Sequence, residues 1–314
     1  MGKETTQQSK YLYGPVPSRR LGLSLGVDIV PLKVCTLNCV YCQLGRTTQK
    51  SVERRDFVAI NAVLAELKEQ LAQNLEADFI TISGSGEPTL NARLGELIDG
   101  IRAITDIPIA IITNGTLLYR QDVRADCAKA DVVLPSLDAG DEQAFQKVNR
   151  PHKDISIEKL ISGLCRFREE FAGQLWLEVF LVEGLNTDAE QITKIKAAIK
   201  LIRPDKVQLN TAVRPAAAPN IRKVDAEKLQ AISAQIGENC EVVVDFSAAH
   251  YPERLHGTAE SVLSMLKRRP CSLDDICAGL GIHRNDALKH ISYLQKQGLI
   301  GSEEKDRKAF FKAR

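Results

Sequence analysis

Residues 78–115 read DFITISGSGEPTLNARLGELIDGIRAITDIPIAIITNG, and the order of patterns within this stretch decides the fold. Asp78 to Ser83 is a short apolar run rich in β-branched residues, and the polar, glycine-bearing turn SGSGEPT follows it. Leu94 to Ile104 then carries apolar residues at helical spacing, and Ile107 to Thr113 is a second apolar run that ends in TNG. A strand, a turn, a helix and a strand in succession predict a βαβ unit with parallel strands. In such a unit the polar turns collect at the carboxyl ends of the strands.

Working outward, the same order recurs. Leu23 to Val30 predicts an opening strand, and Asn61 to Leu75 the helix before DFITIS. Downstream, helix and strand alternate at Gln121 to Ala130 with Asp131 to Leu137, Ile157 to Phe171 with Leu175 to Val182, and Asp188 to Ile202 with Lys206 to Asn210. A last pair lies at Asp225 to Ile236 and Glu241 to Phe246. About seven strands and six crossovers predict an α/β fold with a parallel sheet wrapped by helices. Periodicity leaves a doubly wound sheet and a full or partial (β/α) barrel both open. In either, SGSGEPT, TNGT, SLDAG, EGLN and NTAVRP all fall at predicted strand ends, where such folds place their chemistry.

From about Tyr251 the pattern changes. Helices are predicted at His256 to Arg269, at Ser272 to Ala278 with Ser272 as N-cap, and at Arg284 to Gln297. Short strands at Leu299 to Ser302 and Lys308 to Lys312 flank the turn EEKDR. Three helices and a β-ribbon predict a winged helix-turn-helix, with Gly279 and Gly281 in the turn. Residues 251–314 hold 12 basic and 8 acidic side chains, whereas the rest is net −2. Two domains are therefore expected, 1–250 and 251–314. In the third helix His283, Arg284, Asn285, Lys289, His290 and Lys296 are expected to face outward, over a buried stripe of Ala287, Leu288, Ile291 and Leu294.

The 314 residues are 44% apolar and 26% charged with a net charge of +2, a globular composition without the excess charge of a polyanion-binding arm. No stretch approaches the length of a membrane span, and MGKETTQQSKY lacks the apolar centre of a signal peptide. A cytoplasmic protein without a membrane partner is expected. Of the eight cysteines, Cys127, Cys165, Cys240, Cys271 and Cys277 are scattered in apolar or helical settings and read as small core residues.

Cys35, Cys39 and Cys42 differ. The run Cys35-Thr-Leu-Asn-Cys39-Val-Tyr-Cys42 places three thiols within eight residues, just after the opening strand. Three such thiolates suit a soft metal. Zinc needs a fourth ligand, for which His152, His250 or Cys127 are candidates. An iron–sulfur cube is also held by three cysteines, with one iron left open.

The C-x₃-C-x₂-C spacing with Tyr41 before the third cysteine resembles the radical SAM superfamily, and SGSGEPT resembles its GGEP element with Ser85 in place of one glycine. ITNG, SLD and NRPH extend the resemblance. YGPVPSRRLGLSLGVDIVP before the cysteines, with CQLG after them, is similar to the subfamily grouped with wyosine-related tRNA enzymes.

This resemblance implies a partial (β/α) TIM-like radical SAM barrel carrying a C-terminal winged helix. Cys35, Cys39 and Cys42 would hold a [4Fe–4S] cluster whose open iron takes S-adenosylmethionine (SAM). Reduction of the cluster would cleave SAM to methionine and a 5′-deoxyadenosyl radical that abstracts hydrogen from the substrate. Tyr41 would pack by the adenine, Gly84, Gly86 and Glu87 would meet the methionine amino group, and Asn114, Ser136 and Asp138 would bond ribose and carboxylate. Arg19, Arg20, Arg150, His152, Asn210 and Arg214 are the substrate-side candidates, with Lys147 as a further amine. A flavodoxin or ferredoxin is the implied electron donor, and tRNA or a protein is the implied partner of the winged helix. Two other readings are a radical SAM activating or peptide-modifying enzyme and an iron–sulfur, redox-sensing DNA-binding regulator.

Overall fold

The computed structural model describes residues 10–18, 20–73, 75–243 and 258–314. The opening strands are β1 (Leu12–Ser18) and β2 (Gly22–Val27), followed by the short pair β3 (Val34–Cys35) and β4 (Gln49–Lys50). Then come α1 (Ile60–Leu71), β5 (Phe79–Ile82), α2 (Leu94–Arg102), β6 (Ile109–Ile112), α3 (Gln121–Cys127) and β7 (Val132–Leu134). The second half continues with α4 (Glu142–Val148), α5 (Ile157–Glu170), β8 (Gln174–Leu181), α6 (Ala189–Ile202), β9 (Lys206–Thr211), α7 (Ala226–Ile236) and β10 (Cys240–Val242). Each strand expected from the helix–strand alternation is present. Strand β1 and helix α4 are additions, because Leu12–Ser18 carries two prolines and a glycine and Glu142–Val148 is only two turns long. Of the last predicted strand, residues 244–246 lie outside the described residues, as do Arg19 and His250.

The main sheet has the order β1-β2-β5-β6-β7-β8-β9-β10. Only β1 is antiparallel to its neighbour. Helix starts follow from their caps: Ser156, Asp188 and Asp225 accept from the backbone N–H of Lys159, Gln191 and Lys228.

Two observations decide between a doubly wound sheet and a barrel. First, α1 to α7 bury their apolar stripes in one cluster against one face of the sheet, with Leu25, Ile80, Ile82, Ile109, Ile111, Val133 and Leu177. The opposite face carries none of α1 to α7; Leu21, Ala110, Val132, Leu134, Phe79, Ile112 and Trp176 meet there. Second, β2 and β8 are four places apart in the sheet, roughly 19 Å if it were flat. Yet Arg20, just before β2, reaches Glu178 on β8 at 3.0 Å. Arginine and glutamate side chains together cannot span the flat distance, so the sheet curls and the face opposite α1 to α7 becomes an interior.

Residues 258–314 form α8 (Ala259–Arg268), β11 (Cys271–Ser272), α9 (Leu273–Leu280), α10 (Arg284–Lys296), β12 (Ile300–Lys305) and β13 (Lys308–Ala313). The three strands pair antiparallel in the order β11-β13-β12. Ser272 caps α9 in a capping box with Asp275, and Gly281 ends it at φ +58°, where glycine avoids the cost of a left-handed residue. The unit has its own apolar cluster of Val262, Leu266, Ile276, Ala287, Ile291, Leu294 and Ile300, and Val16 of β1 packs onto it. Leu288 corrects the expected stripe: it is 41% exposed, because the buried face of α10 runs through 287, 291 and 294. Among the described residues no helix is long and apolar enough to cross a membrane.

Candidate functional site

The loops that follow β2, β5, β6 and β7 meet at the carboxyl ends of the strands. The cysteine loop and the Ser83–Glu87 loop run against each other: Lys33 N donates to Ser85 O at 2.7 Å and Glu87 N to Val34 O at 3.0 Å. This approach explains Gly86, whose missing Cβ would lie 2.1 Å from Val34 O. Glycine is needed there because another backbone occupies the space. Gly84 sits at φ +143° with the Asp28 carboxylate against it.

Glu87 is buried and points away from the loop. Its carboxylate accepts from Thr89 N and Oγ1, from Thr113 Oγ1 at 2.5 Å and from Asn114 N at 2.8 Å. Burial pushes its pKa up, and these donors oppose the shift. Glu87 thus ties the loop after β5 to the loop after β6. Asn114 is not in a left-handed turn; the positive φ, +74°, belongs to Gly115.

Each thiol of the trio has its own side-chain donor. Lys33 Nζ lies 3.3 Å from Cys42 Sγ, Asn114 Nδ2 3.5 Å from Cys35 Sγ, and Asn149 Nδ2 3.5 Å from Cys39 Sγ. Such donors favour anionic sulfur. Burial, then the charge of Glu87, pushes Cys35 up to about 12, and burial raises Cys39 as well, so these two free thiols are protonated all the same. Binding of a cationic centre therefore displaces their protons. The eight cysteines are all unpaired by disulfides, and Cys127 is buried in the helix-side core.

Among the described residues no three His, Cys, Asp or Glu side chains are grouped to hold a single metal ion. That weighs against zinc with Cys127 or with His152, whose Nδ1 serves Asp154 instead. A cube, unlike a single ion, would spread its thiolates over separate irons. The buried Asn149 Oδ1, which has no partner among the described residues, is a further polar group facing this region.

The next shell is a network around Asp138, which is buried. Its Oδ2 accepts from Tyr41 Oη and from Asn149 Nδ2 at 2.6 Å, and its Oδ1 accepts from Phe180 N at 2.8 Å. Burial raises Asp138 to about 6 in spite of these bonds. The ring of Tyr41 stacks on Phe180 with centroids 3.8 Å apart. Asp138 thus orients Tyr41 and Asn149, and Ser136 bridges to β8 opposite Glu178. Asn149 and Lys33 are residues that sequence reading misses as site members. Asn149 lies inside the quoted NRPH, but nothing in the spacing links it to Cys39, and Lys33 carries no signal beyond its nearness to Cys35.

The substrate-side candidates separate into two groups. Arg20 engages Glu178 across the interior, Asn210 engages it from the neighbouring strand β9, and Arg214 is buried against Asp275 at 2.9 Å. Each of these three has a side-chain partner within the protein. Lys147 and Arg150 instead line a cavity of about 500 Å³, with Arg222 and with Val40 of the cysteine loop. None of the three cations has a carboxylate partner among the described residues, and the one carboxylate there, Glu183, is held by Lys228 at 2.9 Å. Sequence reading misses Arg222, which follows no motif.

A family model of the radical SAM superfamily matches residues 29–194. The chain is 38% identical over 301 residues to a protein named "GTPase Obg" of Brachyspira hyodysenteriae, covering 94% of this chain and 44% of that one. It thus spans less than half the length of that relative. It is 39% identical to the UPF0026 protein MJ1312 of Methanocaldococcus jannaschii, covering 72% of this chain and 71% of the other. A solved structure described as TYW1 with a lysine-pyruvate adduct bound aligns with a TM-score of 0.53 at 19% identity, over 71% of this chain and 75% of that one. This last likeness is one of fold.

Proposed function

The chain belongs to the radical SAM superfamily, whose members bind a [4Fe–4S] cluster and S-adenosylmethionine, and to the UPF0026 family, and we propose that it acts on a phosphate-bearing substrate, with tRNA as the first choice. The observation that carries the cofactor reading is the pairing of each of Cys35, Cys39 and Cys42 with its own donor, Asn114, Asn149 and Lys33. These cysteines are the proposed cluster ligands. When bound, the reduced cluster supplies the electron that cleaves SAM and so provides a radical able to take hydrogen from substrate.

The chain's own residues then do the rest. Lys33, Asn114 and Asn149 stabilise charge on the ligand sulfurs. The backbone of Ser83–Glu87, fixed by Val34 and Glu87, takes the methionine end of SAM, while the Tyr41–Phe180 stack forms an apolar wall beside it. The curled interior excludes water from the reacting atoms. Lys147, Arg150 and Arg222 hold an anionic group of the substrate beside the cysteine loop. A flavodoxin or ferredoxin is the proposed electron donor.

The tRNA choice rests on two supports. One is this cationic cavity. The other is α10, where Asn285, Lys289, Tyr293 and Lys296 are exposed at helical spacing with Tyr293 54% accessible, a basic and aromatic face suited to nucleic acid. We read residues 258–314 as a winged-helix module on the strength of three helices with a β-ribbon. The test is anaerobic incubation of reconstituted protein with SAM, dithionite and tRNA, followed by mass spectrometry of 5′-deoxyadenosine and nucleosides. The expected result is 5′-deoxyadenosine together with an altered nucleoside. Formation of 5′-deoxyadenosine with unaltered tRNA rejects tRNA and leaves the enzyme class standing.

A further inference from the structure

Distance along the sequence separates the C-terminal unit from the cofactor motifs, and from sequence alone its removal is expected to spare SAM cleavage. The structure argues otherwise. Arg268, the last residue of α8, crosses to the Ser83–Glu87 loop, where its Nη1 lies 2.8 Å from Ser85 Oγ and pairs with Asp28. Its guanidinium also lies over the Tyr13 ring, 4.6 Å from the centroid. Asp28, just after β2, is itself locked to the loop: it accepts from Ser85 N at 3.2 Å and from Ser85 Oγ at 2.5 Å, and it fills the space beside Gly84.

Ser85 is the one residue at which this loop departs from the GGEP element it resembles. A glycine there has no hydroxyl for Arg268 to grip and leaves Asp28 only the backbone N–H. The side chain that breaks the pattern is the side chain the C-terminal unit holds.

The unit is fastened at a second place as well. Asp275 of α9 pairs with the buried Arg214 at 2.9 Å, and Lys305 Nζ donates to Ala212 O at 2.6 Å and to Arg214 O at 2.8 Å, all just beyond β9. It is therefore anchored both near β2 and near β9, and Arg268 is held in place from two sides.

We propose that Arg268 is a positioning residue for the Ser83–Glu87 loop, acting through Ser85 and Asp28, so that the C-terminal unit completes the SAM site. This rests on the reading that this loop takes the methionine end of SAM. Without Arg268, Asp28 loses its cation, and Ser85 loses one of the restraints on the backbone that SAM must meet. By reciprocity, SAM must steady α8 as much as α8 steadies the SAM loop.

The test uses full-length, cluster-reconstituted protein with iron content checked, and measures SAM affinity by equilibrium dialysis. Arg268→Ala should weaken SAM binding about tenfold, the scale of one lost hydrogen bond to a charged group. Ser85→Ala should weaken it too, and the double variant should be no weaker than Arg268→Ala alone. A second readout is hydrogen exchange of the α8 amides, which SAM should slow in the unaltered protein and not in Ser85→Ala; this also serves if Arg268→Ala folds poorly. Gly84→Val separates the two readings. If Gly84→Val loses SAM while Arg268→Ala and α8 exchange are unaffected, the positioning role falls and the loop reading stands. If Gly84→Val also binds SAM normally, the loop reading itself falls.

Discussion

The side-chain amide of Asn149 lies 3.5 Å from the sulfur of Cys39, and Asp138 fixes it there by accepting from the same nitrogen at 2.6 Å. A donor aimed at a ligand sulfur withdraws electron density and makes reduction easier. Asn149→Ala should therefore keep the cluster but move its midpoint potential to a more negative value, read by an EPR-monitored redox titration. An unchanged potential would reduce the contact to packing.

The cysteines should divide cleanly. Cys35→Ala, Cys39→Ala and Cys42→Ala should each lose the cluster, while Cys127→Ala, Cys165→Ala and Cys240→Ala should load iron normally, as measured by iron per chain and visible absorbance. Three ligands to a cube leave no spare. Full loading of Cys39→Ala would overturn the assignment.

Asp138 should mark the pH dependence of the cluster-free protein. Burial raises its carboxyl from 3.8 to about 6, so the folded state binds more protons than the unfolded state between those values. Its contribution is full below about pH 4 and is lost as pH rises through about 6. The cost is about 3 kcal/mol across that window. Urea unfolding at pH 4 and pH 7 should show this slope in the unaltered protein and a flatter one in Asp138→Asn. Equal slopes would sink the claim.

Gly86→Ala should disturb two functions at once. A Cβ at that place would lie 2.1 Å from Val34 O, so the loop and the cysteine-bearing backbone must part. Iron content and SAM binding should fall together. Loss of SAM binding alone, with full iron, would mean that the glycine faces the cofactor and not Val34.

The Arg214–Asp275 pair should matter to stability more than surface pairs do. Arg214 is 2% exposed, and Asp275→Asn leaves its guanidinium buried without that carboxylate. Denaturant unfolding should show a loss of about 3 kcal/mol. Asp286→Asn, whose partner Lys289 is exposed, should be neutral by the same measurement.

Much of this protein is legible in its sequence because the signals are local. The βαβ order shows in β-branched runs such as DFITIS and in helical spacing such as that of Leu94–Ile101, since each reports the face a segment must bury. The cysteine trio shows because its three thiols sit on one short loop. The three helices and ribbon of residues 258–314 show for the same reason, down to Ser272 as the cap of α9.

What the chain order could not express is which distant groups meet. A barrel and a doubly wound sheet have the same local pattern; only the helices' sharing one face, and Arg20 meeting Glu178, separate them. The hydrogen bonds that Asp138 and Glu87 accept from Tyr41, Asn149 and Thr113 are set by the closing of the strand ends on one another. The grip of Arg268 on Ser85 spans 183 positions, and no spacing rule reaches that far. Periodicity records the environment of each residue along its own element, whereas a site is built by curvature and docking, which bring together side chains that share no element.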